Sequence, residues 1–225
     1  MASSEKIQAD FDRLAGLSTE GWDHNGHYHP FLLRHAPTQC DRALEIGCGT
    51  GGFSRLLVQR SQHVLALDLS PQMIRIARER STGFSNIDYQ VADVLNYNLP
   101  ANQFDCIVSI ATLHHLPFEM MLGQLKGALK AGGVLLILDL FKGDSLADLL
   151  LNIPAVPWNL ALTLWKQHRL RPPREVRAAW TEHGRTDVYL TLSQVRHGCK
   201  IALPGAMIRR HLLWRYSIVW TKPTV

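Results

Sequence analysis

Leu44-Glu45-Ile46-Gly47-Cys48-Gly49-Thr50-Gly51-Gly52 joins a short apolar run to a segment of helical spacing. The run, residues 43–46, reads as a buried strand and residues 53–60 as the helix after it. The glycines between them permit a tight turn and a close approach to the backbone. Further apolar runs follow at 64–67, 87–91, 106–110 and 134–140, alternating with helical patterns at 72–80 and 119–130. In the last helix Met121, Leu125, Ala128 and Leu129 share a face, and Gly132-Gly133 is expected to end it. Strand–helix alternation of this kind predicts a doubly wound α/β domain, a parallel sheet with helices on both faces. A ligand then belongs at the carboxyl ends of the strands.

Outward from this core the pattern changes. Towards the N-terminus a helix begins at about Ser4, with Ile7, Phe11 and Leu14 on one face. A polar loop rich in histidine follows, and a short helix carries Phe31, Leu32 and Leu33. Beyond Leu140, residues 146–165 are nearly apolar and about as long as a membrane span. They also contain Asp148, Asn152, Pro154, Pro157 and Asn159, so two broken helices capping the sheet are expected instead, and no span. Helices are predicted over 174–183 and over 193–201, the second capped by Ser193. Residues 206–213 and 215–221 read as a β-hairpin. The chain thus divides into an N-terminal helical lid (1–40), a Rossmann-like core (41–140), a helical cap (141–203) and a closing hairpin (204–225).

The 225 residues carry 46% hydrophobic and 19% charged side chains, enough for a sizeable core and incompatible with global disorder. No apolar run or cleavage-like signal opens the sequence, which argues against secretion. Cys40, Cys48, Cys106 and Cys199 are scattered without a C-x-x-C pair, which suits a reducing cytoplasm better than a disulfide or zinc framework. Half of the 24 Lys and Arg, but only three of the 19 Asp and Glu, follow Trp165. A basic region of this kind is either a solvated face or an attraction for nucleic acid, an anionic substrate or an acidic surface.

Gly47, Gly49 and Gly52 satisfy G-x-G-x-x-G, and Asp68 ends the next strand where a carboxylate can bond ribose hydroxyls. That pattern alone is open to NAD. Three features point elsewhere. Glu45 precedes the loop and would repel a pyrophosphate while favouring a cation. Asp93, in Val91-Ala92-Asp93-Val94, can accept a hydrogen bond from an adenine amino group. A hairpin, rather than a second mononucleotide-binding half, closes the chain.

With these features the sequence resembles the class I S-adenosylmethionine (SAM)-dependent methyltransferases. The resemblance rests on residues 44–51, on Leu67-Asp68-Leu69-Ser70 with Met73, on Ala92-Asp93-Val94, on residues 104–109 and on Lys130-Ala131-Gly132-Gly133. Ala131 stands where the family usually has proline. The resemblance implies a seven-stranded sheet with its last strand antiparallel, and SAM as cofactor with S-adenosyl-L-homocysteine as product. Gly47, Cys48, Gly49 and Gly51 would lie at the methionine part of SAM, while Glu45 is expected to face the cofactor's cation. Asp68 would hold the ribose, with Leu69 and Met73 beside the adenine and Asp93 and Val94 at its edge. Ile110 and Ala111 would line the methyl side.

Methyl transfer from a sulfonium is an in-line displacement on an activated cofactor, so alignment is the protein's main task. A hydroxyl acceptor gains from a general base. His115, or else His114, leaves the fourth strand beside the expected methyl and titrates near neutrality, with Asp139 able to orient either. Because neighbouring residues point differently, at most one of the two histidines is expected to face the acceptor. No metal is expected, since Asp139 is the only obvious third ligand for adjacent histidines. His24, Tyr28 and His183 are candidates for acceptor binding, as is Asp187. The leading expectation is a methyltransferase acting on an oxygen or nitrogen of a small molecule. The alternatives are an RNA methyltransferase of the tRNA wobble-uridine type and a non-catalytic SAM-binding interaction protein.

Overall fold

The computed structural model describes residues 3–17, 25–143 and 173–224. The apolar 146–165 segment and its two expected cap helices lie outside the described residues, as does His24. Among the described residues, no helix is long and apolar enough to cross a membrane.

The chain begins with α1 (Ser4–Leu17), a 3-10 turn (Gly26–Tyr28) and α2 (His29–His35). The core then runs β1 (Cys40–Ile46), α3 (Ser54–Leu57), β2 (Ser61–Asp68), α4 (Pro71–Arg80), β3 (Ile87–Val91), β4 (Phe104–Ile110), α5 (Phe118–Ala128) and β5 (Leu129–Leu140). Past residue 172 come α6 (Arg174–His183), α7 (Leu192–Ala202), β6 (Met207–His211) and β7 (Arg215–Thr221). The strands form one seven-stranded sheet in the order β3-β2-β1-β4-β5-β7-β6. β1 to β5 pair in parallel, and β7 runs antiparallel to both β5 and β6.

Period-two alternation decides which side chain meets which layer. Leu44, Ile46, Ile107, Leu135 and Ile137 face the layer built from α5 and α7, against Met121, Leu122, Leu125, Val195 and Cys199. Ala43, Val64, Ala66, Cys106, Val108, Leu136 and Leu138 face the other, against Leu32, Leu57, Ile74 and Ala77 of α2, α3 and α4. The central strands are therefore apolar on both sides, as parallel strands covered by two helical layers must be. α7, which belongs to the stretch expected to form a separate cap, is instead part of this main core.

Three local expectations are revised. α5 stops at Ala128, and Gly132 and Gly133 sit inside β5. Gly132 has φ +76°, and a Cβ on Gly133 would come within 3.0 Å of the Phe104 carbonyl oxygen. The pair admits a register shift between β4 and β5 rather than ending a helix. α7 is capped by Thr191, not Ser193, through a reciprocal capping box with Gln194. The helix expected over 53–60 is one α-turn, Ser54–Leu57, continued by a 3-10 turn, Val58–Arg60.

Candidate active site

In the strand order the chain leaves β1 for β2 on one side, while β4 lies on the other. β1 and β4 therefore flank the topological switch point, where open α/β sheets place their ligands. Gly47 follows β1 with φ +72° and donates its N–H to the Leu67 carbonyl at 2.8 Å. A Cβ there would stand 1.9 Å from Thr112 Oγ1, so only glycine lets the two loops meet. Gly51, at φ +75°, is similarly pressed by the Tyr89 hydroxyl, while Gly49, at φ +52°, faces open space. Ala111, just past β4, takes φ +51°, a conformation that costs an alanine about 1–2 kcal/mol.

Acidic residues stand at or just past the ends of β1, β2 and β3. Asp68 ends β2 and accepts the Gly49 N–H at 2.8 Å and the Ser70 N–H at 2.9 Å. Burial pushes its carboxyl above the usual carboxylate range, against the pull of those two N–H groups. Asp93 accepts from Ser4 Oγ at 3.1 Å, the Leu95 N–H at 3.0 Å and Asn96 Nδ2 at 3.0 Å. Glu45 is 2% exposed and accepts from Ser54 Oγ, tying β1 to α3 beneath the loop. Burial raises it to about 8, so it is largely protonated at neutral pH. Met73, capped into α4 by Ser70, packs with Leu14 and Ala15 of α1. Cys48, Val94 and Ile110 are buried, and Leu69 is half-buried.

A second cluster lies beyond β4 and β5. Thr112 leads into a 3-10 turn, Leu113–His115, which brings both imidazoles to one place. Their ring centres are 3.9 Å apart, so these neighbours do not diverge as the sequence led us to expect. His114 Nδ1 lies 2.6 Å from Asp139 Oδ1, and its backbone N–H donates to Oδ2 at 2.9 Å. Burial disfavours the imidazolium, but the charge and hydrogen bond of Asp139, then Asp187, outweigh it and raise His114 above its ordinary value. His115 goes the other way: burial, then the adjacent His114, push it down, so its ring is neutral at pH 7.

Asp187 faces all three histidines of this region. Its carboxylate lies 4.0 Å from His114 Nε2, 3.4 Å from His115 Nδ1 and 3.8 Å from His183 Nε2, and accepts the Tyr189 hydroxyl at 2.7 Å. His183, at the end of α6, has its Nδ1 3.2 Å from Asp10 of α1. Phe11 stacks edge-on against His183 at 4.8 Å and His115 at 5.8 Å.

Most of the sequence candidates thus gather at two adjoining places. The glycine loop, Asp68 and Asp93 lie at the ends of β1, β2 and β3, and His114, His115, Asp139, Asp187 and His183 form the cluster. Tyr28 joins neither; its hydroxyl donates to the Leu212 carbonyl at 2.9 Å in the β6–β7 turn. Sequence reasoning missed α1 as a source of site residues. Ser4 bonds Asp93, Asp12 accepts from Ser70 Oγ at 2.5 Å and the Gln72 N–H at 3.2 Å, and Asp10 reaches His183. The available signal was Asp10 and Asp12 flanking an aromatic, Phe11, on an otherwise ordinary amphipathic helix.

A family model described as a methyltransferase domain matches residues 43–133. An uncharacterised methyltransferase of Mycobacterium tuberculosis is 33% identical over 210 residues, covering 90% of this chain and 98% of that protein. A ubiquinone biosynthesis O-methyltransferase of Xylella fastidiosa is 27% identical over 194 residues, 78% of this chain and 77% of its own. Two solved structures share the fold. The N-methyltransferase NodS from Bradyrhizobium japonicum, in complex with S-adenosyl-L-homocysteine, has a TM-score of 0.63 at 18% identity, covering 95% and 98% of the two chains. The phosphoethanolamine N-methyltransferase 2 of Haemonchus contortus, in complex with SAM, has a TM-score of 0.68 at 16% identity, covering 99% of this chain and 60% of that one.

Proposed function

The chain belongs to the class I SAM-dependent methyltransferases, and from that premise we propose that it methylates an oxygen or nitrogen of a small-molecule acceptor held at the His114–His115–Asp187 cluster. The observation that carries this reading is adjacency. The glycine loop, bonded to Asp68, stands at the strand ends beside the switch point, and Thr112, pressed against Gly47, leads from it through the Leu113–His115 turn into the cluster.

SAM supplies an activated methyl group when bound. Gly47, Gly49 and Gly51, with Cys48 between them, would carry its methionine end, and Glu45 would stabilise the loop from below through Ser54. Asp68 would accept from the ribose hydroxyls using lone pairs not taken by Gly49 and Ser70. Leu69, Met73, Asp93 and Val94 would enclose the adenine, and Ile110 and Ala111 the methyl side. His114 then has the form of a general base, its Nδ1 held by a buried carboxylate and its Nε2 left to take a proton. His115 stays neutral beside it, and His183 positions Asp187. Tyr28 would act only indirectly, by fixing the hairpin turn.

The relatives support a small acceptor: one is named for ubiquinone biosynthesis and another for phosphoethanolamine. Nucleic acid is less well supported. Arg215 of the basic region is 8% exposed and bonds Asn25 and the Leu213 carbonyl, and Arg210 lies over the Phe141 ring at 5.5 Å. Four free cysteines, three of them buried, fit a reducing cytoplasm.

The test is transfer of labelled methyl from SAM into a metabolite extract and, separately, into total tRNA. Label in small molecules is expected. Label confined to tRNA and lost at raised salt would replace this reading with the nucleic-acid one.

A further inference from the structure

We propose that His114, His115 and Asp187 form a binding site for one divalent transition-metal ion, supported from behind by Asp139 and Tyr189. Among the described residues, these three side chains make a group whose donor atoms all lie within 4.8 Å of one another. A tetrahedral zinc ion with bonds of 2.0–2.1 Å sets its donors about 3.4 Å apart. Asp187 Oδ1 and His115 Nδ1 already stand at 3.4 Å, and Asp187 Oδ2 and His114 Nε2 at 4.0 Å. At 3.4–4.0 Å the imidazoles are too far from the carboxylate for good hydrogen bonds, which lie at 2.7–3.2 Å. Three buried polar side chains therefore converge without satisfying one another. Their side chains are only 6%, 7% and 4% exposed, and His115 Nε2 has no hydrogen-bond partner among the described residues.

Two of the three ligands have the outer contacts that a metal site uses. A ligating histidine usually has its other ring nitrogen held by a carboxylate, which fixes the tautomer and aims the free lone pair. His114 Nδ1 is held in this way by Asp139 at 2.6 Å, and Asp187 is held by the Tyr189 hydroxyl at 2.7 Å. The sequence offered Asp139 as third ligand. In the fold Asp139 stands behind His114, and the third ligand comes from Asp187, remote in the chain. Two imidazoles and a carboxylate suit zinc, iron or manganese, and three protein ligands leave a coordination position open.

This deepens the methyltransferase reading and rests on it for the role of the ion, though not for its binding. In the open position the ion takes the acceptor's hydroxyl oxygen, and the proton leaves to solvent. The new O–CH3 bond forms as the S–CH3 bond breaks, with its electron pair returning to sulfur. A proton and the ion compete for the same lone pair on His114. With the ion bound, His114 is a ligand, and the ion replaces it in ionising the hydroxyl.

The test is a titration of chelator-treated protein with zinc by calorimetry and with cobalt by visible absorption. One equivalent is expected, with cobalt bands typical of nitrogen and oxygen ligands and no thiolate charge transfer. Asp187→Asn should weaken zinc binding at least 100-fold and Asp139→Asn 10–100-fold, with SAM affinity and melting temperature showing that each variant is folded. His115→Ala serves if Asp187→Asn fails to fold. The proposal is overturned if the parent binds no more ion than these variants, or if thiolate bands place the ion at a cysteine. In either case intact SAM binding and methyl transfer would leave the methyltransferase reading standing. Absence of SAM binding would remove that reading whatever the ion does.

Discussion

The two halves of the site are built in opposite ways. The half proposed for the cofactor comes mainly from residues 45–94, where β1 leads into the glycine loop and Asp68 and Asp93 stand at or just past the ends of β2 and β3, with Ile110 and Ala111 added at the end of β4. The acceptor half is assembled from α1, the turn after β4, the end of β5, the end of α6 and the loop after it. The first half is local chemistry repeated at strand ends; the second exists only once the chain has folded. A local site is readable as a motif, and a dispersed one is free to take up new ligands and new chemistry without disturbing the first.

The largest effect expected is on the dispersed half. His114→Ala should lower turnover by ~10²–10⁴ while SAM affinity stays near that of the parent, measured by single-turnover label transfer alongside calorimetry. Normal turnover in that variant would mean the acceptor is acidic enough to react by alignment alone. Next comes the local half. Asp68→Ala should weaken SAM binding by about 1.5–3 kcal/mol, since it removes a charged acceptor of ribose and loop N–H groups. Asp68→Asn should recover part of the loss. Unchanged SAM affinity in Asp68→Ala would show that the two halves are not divided as described.

Acidity distinguishes the halves a third way. His115 is held below its unfolded value of about 6.5, so beneath that pH the unfolded chain binds more protons and stability falls as pH drops. Glu45 has the opposite sign: its folded value of about 8 lies above its unfolded one, so its contribution is present below about pH 4.5 and is lost as pH rises through 8. Urea midpoints of His115→Gln should therefore fall less than the parent's between pH 7 and pH 5. An equal fall would show that His115 is not the group responsible. The smallest effect belongs to the surface. Arg13 and Glu182 pair at 2.9 Å with both side chains 56% exposed, so Arg13→Ala should cost at most about 1 kcal/mol in thermal unfolding.

This contrast also explains what was legible beforehand. The strands, the glycine loop, Asp68 and Asp93 were readable because period-two apolar runs and turn glycines are local signals. The seven strands and the antiparallel last one followed from family resemblance, whereas their order is a finding of the structure. Gly132-Gly133 misled because the same residue type serves a helix end and a strand irregularity, and only the approach of the Phe104 carbonyl separates them. The approach of the His114 and His115 rings was not legible, because a single 3-10 turn is too short to leave a periodic pattern in the sequence. Asp10 and Asp12 were invisible as site residues because solvated carboxylates and site carboxylates look alike until something packs against them.

α1 touches both halves at once: Ser4 on Asp93 and Asp12 on Ser70 on one side, Phe11 on His115 and Asp10 on His183 on the other. Displacing that one helix would take Ser4 and Asp12 from the first place and Phe11 and Asp10 from the second together, so the cover of neither is independent of the other.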